Sequence, residues 1–471
     1  MWKTISELFS VLSRPQLVYP LLLLILLLGA VPRIWLLCRV SEKDFYHNDG
    51  YEYMELSRQL AAGNGFSLSY YRWHEPVPPN AEPGELHTDL ARTPLFPLLG
   101  AGLFFLPFDT TVSAKAVSLL LALLAVYCVF LLGREAAGYA CALWSALLFS
   151  VYPYALYYTI SWSTENLFLI CLALAFLFLL KTCRGSFGGF WLSGLFLGLA
   201  ALTRPTAILL PAVFLGVLWL RFMVFGAETF PALSFWKLYR PLPAGLWKHA
   251  LLFVLAFALV MLPWTVRNKL AGGRWNPTTY YGGYVFWLSF SEIMVVTYET
   301  MDLSFYTEAT TRQWNEDHAK HLLMMKEQGI TDFLSAAEQW KKWGWERILE
   351  YPEETWFILK KRFFHYWRMC PNLVILKNWQ IVLLRIYFTG LFVLALAGVF
   401  LMRKRFPLLI LILPVLFGMV ISIPFLFVLR YRYPLFAPYI CVLGGMALTA
   451  GTEYVKKFIK RKKNAYKRLK S

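Results

Sequence analysis

The stretch Pro94–Phe108, PLFPLLGAGLFFLPF, is apolar throughout, yet it holds only about fifteen residues and carries prolines near both ends. A helix needs about 20 apolar residues to cross a hydrocarbon core of about 30 Å. The stretch therefore reads as an interfacial or re-entrant helix and not as a span. That reading sets the side of the membrane on which every later loop lies.

Ten other apolar runs surround it, at about 17–37, 113–132, 140–160, 165–181, 190–203, 206–220, 250–266, 381–402, 407–427 and 434–451. With 58% hydrophobic and 18% aromatic residues over 471 positions, the chain is far from a soluble average. The runs mark an all-α polytopic membrane protein. A membrane barrel is excluded, because barrel strands alternate apolar and polar residues and these runs do not. The run at 17–37 follows Lys3 and Arg14 as a signal peptide would. It is too long for one and no small-residue cleavage site follows, so an uncleaved anchor is expected. Five of the seven cysteines (Cys128, Cys141, Cys171, Cys183 and Cys441) lie in or beside apolar runs. That leaves Cys38 and Cys370, and no disulfide framework.

A net charge of +18 could suggest nucleic acid. The basic residues instead gather at the ends of apolar runs and in the tail, where they orient helices and meet anionic lipid. Membrane lipid is thus the expected partner, and nucleic acid is not. If 94–108 does not cross, ten helices remain and both termini are cytoplasmic. Lys181 and Arg184, the 221–249 loop with Lys237, Arg240 and Lys248, the Arg403-Lys404-Arg405 cluster and the Lys456–Lys470 tail then all face inside, as the charge bias requires. A crossing would place every one of them outside.

Two large segments are then extracytoplasmic: an acidic, aromatic loop at about 38–112, and residues 267–380. Within the second, Glu308–Gln328, Asp332–Glu350 and Glu353–Arg368 read as amphipathic helices broken at Gly329 and Pro352. Trp340, Trp343, Trp345, Trp356 and Trp367 are expected partly in the membrane interface. The chain divides into an N-terminal membrane module at 1–266, the extracytoplasmic segment at 267–380, and C-terminal helices with a basic tail at 381–471.

Ionisable groups at membrane depth are costly and mark function. Four sets converge on the outer helix ends: Asp49 with His47, Tyr51 and Glu52; Arg92 in Arg92-Thr93-Pro94; Glu165 in Ser163-Thr164-Glu165-Asn166; and the arginines Arg204, Arg267, Arg430 and Arg432. Arginine holds a phosphate through a fixed fork of donors and keeps its charge. A carboxylate beside it can take the proton from an attacking hydroxyl. Acids and arginines so placed suit a transferase that uses a lipid-linked phosphate. Plainer readings stay open: Arg204 and Arg267 as snorkelling side chains, Arg430 and Arg432 as surface anchors, Glu165 as an acid in a capped first turn, and His47 as a loop histidine.

These residues resemble the GT-C superfamily of membrane glycosyltransferases, in the branch with protein O-mannosyltransferases and the aminoarabinose transferase of lipid A modification. The resemblance rests on Asp49-Gly50-Tyr51-Glu52-Tyr53, Leu60-Ala61-Ala62-Gly63-Asn64-Gly65-Phe66, Arg92-Thr93-Pro94-Leu95-Phe96-Pro97 and Ser163-Thr164-Glu165. It continues through Leu202-Thr203-Arg204-Pro205, Pro263-Trp264-Thr265-Val266-Arg267-Asn268 with Gly282-Gly283, and Arg430-Tyr431-Arg432-Tyr433-Pro434. It implies a GT-C fold and a polyprenyl-phosphate sugar donor used at the extracytoplasmic face of a prokaryotic inner or plasma membrane. The acceptor hydroxyl would belong to a lipid, a glycan or a protein. Asp49 and Glu165 take the places of the catalytic acids, Arg92 and the later arginines those of the phosphate ligands, and His47, Tyr51 and Glu52 those of substrate contacts. Where relatives carry two adjacent acids, Asp49 is followed by Gly50, so Glu52 is displaced. No cofactor is read from these residues, and a need for a divalent metal ion stays open. A transporter or flippase of lipid-linked sugars would also use outer arginines, but the paired broken helices of such folds are not found here.

Overall fold

The structure is a computed structural model that describes residues 15–47, 49–223, 245–299, 308–368, 377–402, 407–425 and 429–468. Lys237, Arg240, Cys370 and Arg403–Arg405 lie outside the described residues, as do the side chains of the Lys456–Lys470 tail.

Six described helices are long and apolar enough to cross a membrane: Gln16–Arg39, Thr110–Ala137, Glu165–Cys183, Leu246–Gly272, Asn378–Leu401 and Arg430–Tyr454. Shorter apolar helices at Tyr139–Ser150, Phe187–Ala201, Pro205–Leu220 and Leu408–Ser422 stand where the other four spans are expected. The chain is an integral membrane protein. The run at 140–160 is shorter as a helix than as a sequence pattern, because it ends at Ser150 and Pro153 opens a separate short helix, Pro153–Tyr157. Gly138, at φ +85°, lets the chain leave one helix and enter Tyr139–Ser150 without a linker. Gly194 and Gly198 seat the helix Phe190–Ala201 directly against Leu246–Gly272, since a Cβ there would strike the Phe253 carbonyl or Val260.

Pro94–Phe108 is expected not to span, and its helical part is too short to cross a hydrocarbon core unaided. It forms the helix Leu95–Ala101 and a 3-10 turn Gly102–Phe105. Phe96 and Leu103 are buried there beside Tyr53, Met54 and Trp162. Two bonds dock its start on the end of the Phe190–Ala201 helix: the Leu95 amide donates to the Leu202 carbonyl at 3.0 Å, and the Thr93 hydroxyl to the Thr203 carbonyl at 2.8 Å. This holds the segment that carries Arg92 against the end of the helix that precedes Arg204.

The stretch expected outside the membrane forms the helices Gly282–Phe290, Glu292–Glu299, Glu308–Glu327, Phe333–Glu350 and Pro352–Tyr366. Asp332 caps the fourth by accepting from the amides of Leu334 and Ser335. Their core is aromatic: Tyr284, Trp287, Tyr298, Trp340 and Trp343 are buried together. Trp340 and Trp343 are therefore core residues and not interfacial ones. Spaced three apart, they share one helix face, where Trp340 lies on Tyr284 and Trp287 and Trp343 on Trp340 and His321. Trp345 and Trp356 remain exposed.

Candidate active site

Asp49 opens the helix Asp49–Ala61, and Glu52, three residues on, shares its face. Gly50 presses this helix against the segment before Glu165, where a Cβ would sit 3.1 Å from the Trp162 carbonyl. The Trp162 amide donates to the Phe45 carbonyl at 2.9 Å. Two acids more than a hundred residues apart in sequence are thereby brought to one end of the bundle.

Guanidinium groups link them. Arg92 donates to Asp49 Oδ1 at 2.9 Å and also pairs with Glu52. Arg430 reaches Asp49 Oδ2 at 2.6 Å and pairs with Glu165. Arg204 lies 3.4 Å from Glu165 and over the Tyr431 ring at 4.8 Å. The result is an alternating ladder, Arg92–Asp49–Arg430–Glu165–Arg204, which is how charges removed from water must be arranged.

Exposure separates the two acids. The Asp49 side chain is 28% exposed and those of Arg430 and Arg92 are 24% and 16%, whereas Glu165 is at 0%. Asp49 can meet a substrate; Glu165 can only hold arginines. Burial alone would raise the Asp49 pKa, but the charges of Arg92 and Arg430 outweigh it and hold the carboxyl well below its ordinary range. Thr164 makes no side-chain cap at the start of Glu165–Cys183, so Glu165 serves the arginines and not a capped first turn.

The other expected residues are placed apart from the ladder. Arg432 is buried and donates to the carbonyls of Tyr366 and Arg368 at 2.6 and 2.7 Å, tying the end of the helix Pro352–Tyr366 to the bundle. Arg267 donates to the Phe66 carbonyl at 3.1 Å and lies over Trp264. Among the described residues no carboxylate pairs with it. It lines a groove of about 580 Å³ with Asn64, Ser67 and Thr88 on one wall and Pro263, Val266 and Leu270 on the other. His47 contacts the Asp44 carbonyl and the Tyr157 hydroxyl, and Tyr51 is half exposed.

Three charged residues of the site are not singled out by the sequence reading. Arg72, itself buried, pairs with Glu52, Glu75 and Asp89. Asp89 accepts from the Arg92 amide at 2.9 Å. The available signal was the clustering of charge, Arg72 with Glu75 three residues on and Asp89 three before Arg92, inside an otherwise aromatic loop. Among the described residues no group of three or more His, Cys, Asp or Glu side chains is arranged to hold a metal ion. The acids of the ladder are instead taken up by guanidinium groups.

Comparison with known proteins bears on the fold. The oligosaccharyltransferase of Archaeoglobus fulgidus in the apo form aligns over 95% of this chain and 52% of its own, at 15% identity and a TM-score of 0.51. The same archaeal enzyme, AglB, in complex with an inhibitory peptide and a dolichol-phosphate aligns over 95% and 51%, at 16% identity and a TM-score of 0.52. The chain has the GT-C fold. It spans about half the length of that enzyme. ArnT from Cupriavidus metallidurans bound to undecaprenyl phosphate aligns over 91% of this chain and 77% of its own, with 14% identity and a TM-score of 0.39. Residues 91–264 match the family described as dolichyl-phosphate-mannose-protein mannosyltransferase. No curated protein sequence matches the chain.

Proposed function

We propose that this GT-C protein is a glycosyltransferase that moves a sugar from a polyprenyl-phosphate donor to a hydroxyl of a lipid, glycan or protein at the extracytoplasmic face. One observation carries the reading: the partly open carboxylate of Asp49 lies between two arginines that are themselves partly open. An entering phosphate finds a cationic site there, and beside it the group that can accept a proton.

The acceptor oxygen bonds to the anomeric carbon, and the bond from that carbon to the phosphate oxygen breaks. The electron pair leaves with the phosphate, and the hydroxyl proton passes to Asp49. Arg92, Arg430 and Arg204 stabilise the charge gathering on the leaving phosphate. With both its oxygens facing guanidinium groups, Asp49 is a weak base. A bound phosphate draws on the same donors, relaxes their hold and makes the carboxylate more basic. The Arg267 groove, with one polar wall and one apolar wall at a membrane-helix end, suits a lipid chain with an anionic head. The archaeal enzyme is also known with Zn and sulfate. The acids here pair with arginines, and among the described residues no three ligating side chains converge, so no step is routed through a metal.

The test is to incubate the purified protein with a panel of polyprenyl-phosphate sugars and follow released polyprenyl phosphate. Release that requires both a sugar-bearing donor and a hydroxyl acceptor is the expected result. Stable donors throughout, with lipid moved across vesicles instead, would replace this reading with transport.

A further inference from the structure

Arg72 lies outside every apolar run and outside the motifs that carry the family resemblance, yet its guanidinium meets three carboxylates. Its side chain is only 6% exposed, so it cannot touch a substrate. Two routes lead from it to Arg92. Glu52 binds Arg72 through one oxygen and Arg92 through the other. Asp89 lies 2.7 Å from Arg72 through Oδ1, while its Oδ2 accepts from the Arg92 amide at 2.9 Å. The first route holds the Arg92 side chain, and the second holds its backbone. Arg92 in turn holds Asp49 at 2.9 Å.

The backbone of Arg72 is anchored separately. Trp73 packs on His318 and Trp314, with ring centroids at 4.4 and 4.8 Å. His74 stacks on Tyr284 at 4.3 Å, and its carbonyl accepts from Trp340 Nε1 at 3.3 Å. Arg72 thus stands at the join of the aromatic core and the charged ladder, with its main chain held by one and its side chain by the other.

We propose that Arg72 is a positioning residue, which sets Arg92 for the donor phosphate by keeping Glu52 and Asp89 in place. The inference rests on the phosphate-site reading above. Without the fork of Arg72, both Glu52 oxygens are free to close on Arg92. That contact would withdraw Arg92 from the phosphate and from Asp49. Lysine keeps the charge but cannot bridge three carboxylates in fixed geometry.

The experiment measures the affinity of the full-length protein in nanodiscs for undecaprenyl phosphate, a probe that needs no turnover. Arg72→Lys should weaken binding about tenfold in the wild-type background. In an Arg92→Ala background the same change should cost less than about twofold, because its effect passes through Arg92. In an Arg267→Ala background the full tenfold loss should persist. Arg72→Gln leaves three buried acids short of a partner and threatens folding, so Arg72→Gln/Glu52→Gln serves as the second variant and should bind better than Arg72→Gln alone. Equal losses in the Arg92→Ala and wild-type backgrounds would show a general structural role and overturn the proposal. So would unchanged binding by Arg72→Lys. A wild-type protein that does not bind undecaprenyl phosphate would instead defeat the donor-site reading on which the proposal stands.

Discussion

The charged ladder around Asp49 and the aromatic core around Trp340 lie on either side of Arg72, and they hold themselves together by opposite means. The ladder buries guanidinium and carboxylate groups in alternation, so each charge depends on its neighbours and the net gain in stability is small. The aromatic core buries large rings, each worth about 1.5–3 kcal/mol, and depends on shape. Substitutions in the first should therefore reach chemistry before stability. Substitutions in the second should do the reverse.

The sharpest break of this contrast is Asp49→Asn against Trp340→Ala. Loss of a general base costs about 10²–10⁴-fold in turnover. Asp49→Asn should show that loss with a melting temperature near wild type. Trp340→Ala should lower stability by about 3–5 kcal/mol, while the folded fraction keeps its transfer rate at saturating donor and loses only the donor affinity that passes through the bond to His74. Asp49→Asn unfolding as readily as Trp340→Ala would erase the distinction.

Arg430 and Arg432 give a second comparison within one helix turn. Arg430→Ala removes a charged contact to the phosphate and should weaken donor binding about ten- to a hundredfold, from about 1.5–3 kcal/mol. Arg432→Ala unpairs the Tyr366 and Arg368 carbonyls. It should lower thermal stability and leave the affinity of the folded fraction unchanged. A lipid-linked sugar titration beside a melting curve separates the two.

The two regions also differ in their response to pH. Burial pushes the His318 imidazole down to about 4 from an ordinary 6.5 and lowers that of His74 as well. The unfolded chain then binds more protons than the native one between those values. Stability of the aromatic core is full above about pH 6.5 and falls as the pH drops toward 4. Asp49, partly open, and Asp89, buried, are both held below the ordinary carboxylate range by arginine, against the effect of burial. Their pairs persist until the pH falls below the ordinary carboxylate value of 3.8. Hydrogen exchange at pH 5 should show faster opening at 282–299 and 333–343 than at 49–61, and the reverse order would contradict the assignment. The smallest effect belongs to the Arg274–Glu338 pair, about 60% exposed on both sides. Glu338→Gln should leave the melting temperature unchanged within error.

Much of the architecture was legible because membrane helices announce themselves by length and apolarity. The short reading of Pro94–Phe108 followed from its fifteen or so residues and its prolines, and the helix breaks at Gly329 and Pro352 followed from backbone chemistry. Asp49, Arg92, Arg204, Arg430 and Glu165 were findable as charges at the ends of apolar runs. Which of them touch was not findable, since Arg430 and Glu165 are separated by 265 positions. Arg432 carries the same pattern as Arg430 two residues earlier, yet helix rotation turns it to carbonyls instead of acids. Arg72 lay in a polar loop, where a buried arginine looks like any solvated one until its three carboxylates are seen. Trp340 and Trp343 were read for the interface because tryptophan prefers it, but packing on Tyr284, Trp287 and His321 prevailed.

The central claim is that Asp49 accepts the proton once phosphate has taken up its arginines. A single-turnover measurement of Asp49→Asn at saturating donor tests it most directly, because donor binding no longer limits the rate. The account predicts full loading of the variant with donor and a transfer step about 10²–10⁴-fold slower than wild type. A variant that binds donor weakly, yet transfers the sugar at the wild-type rate once loaded, would contradict it and leave Asp49 as no more than a tether for Arg92 and Arg430.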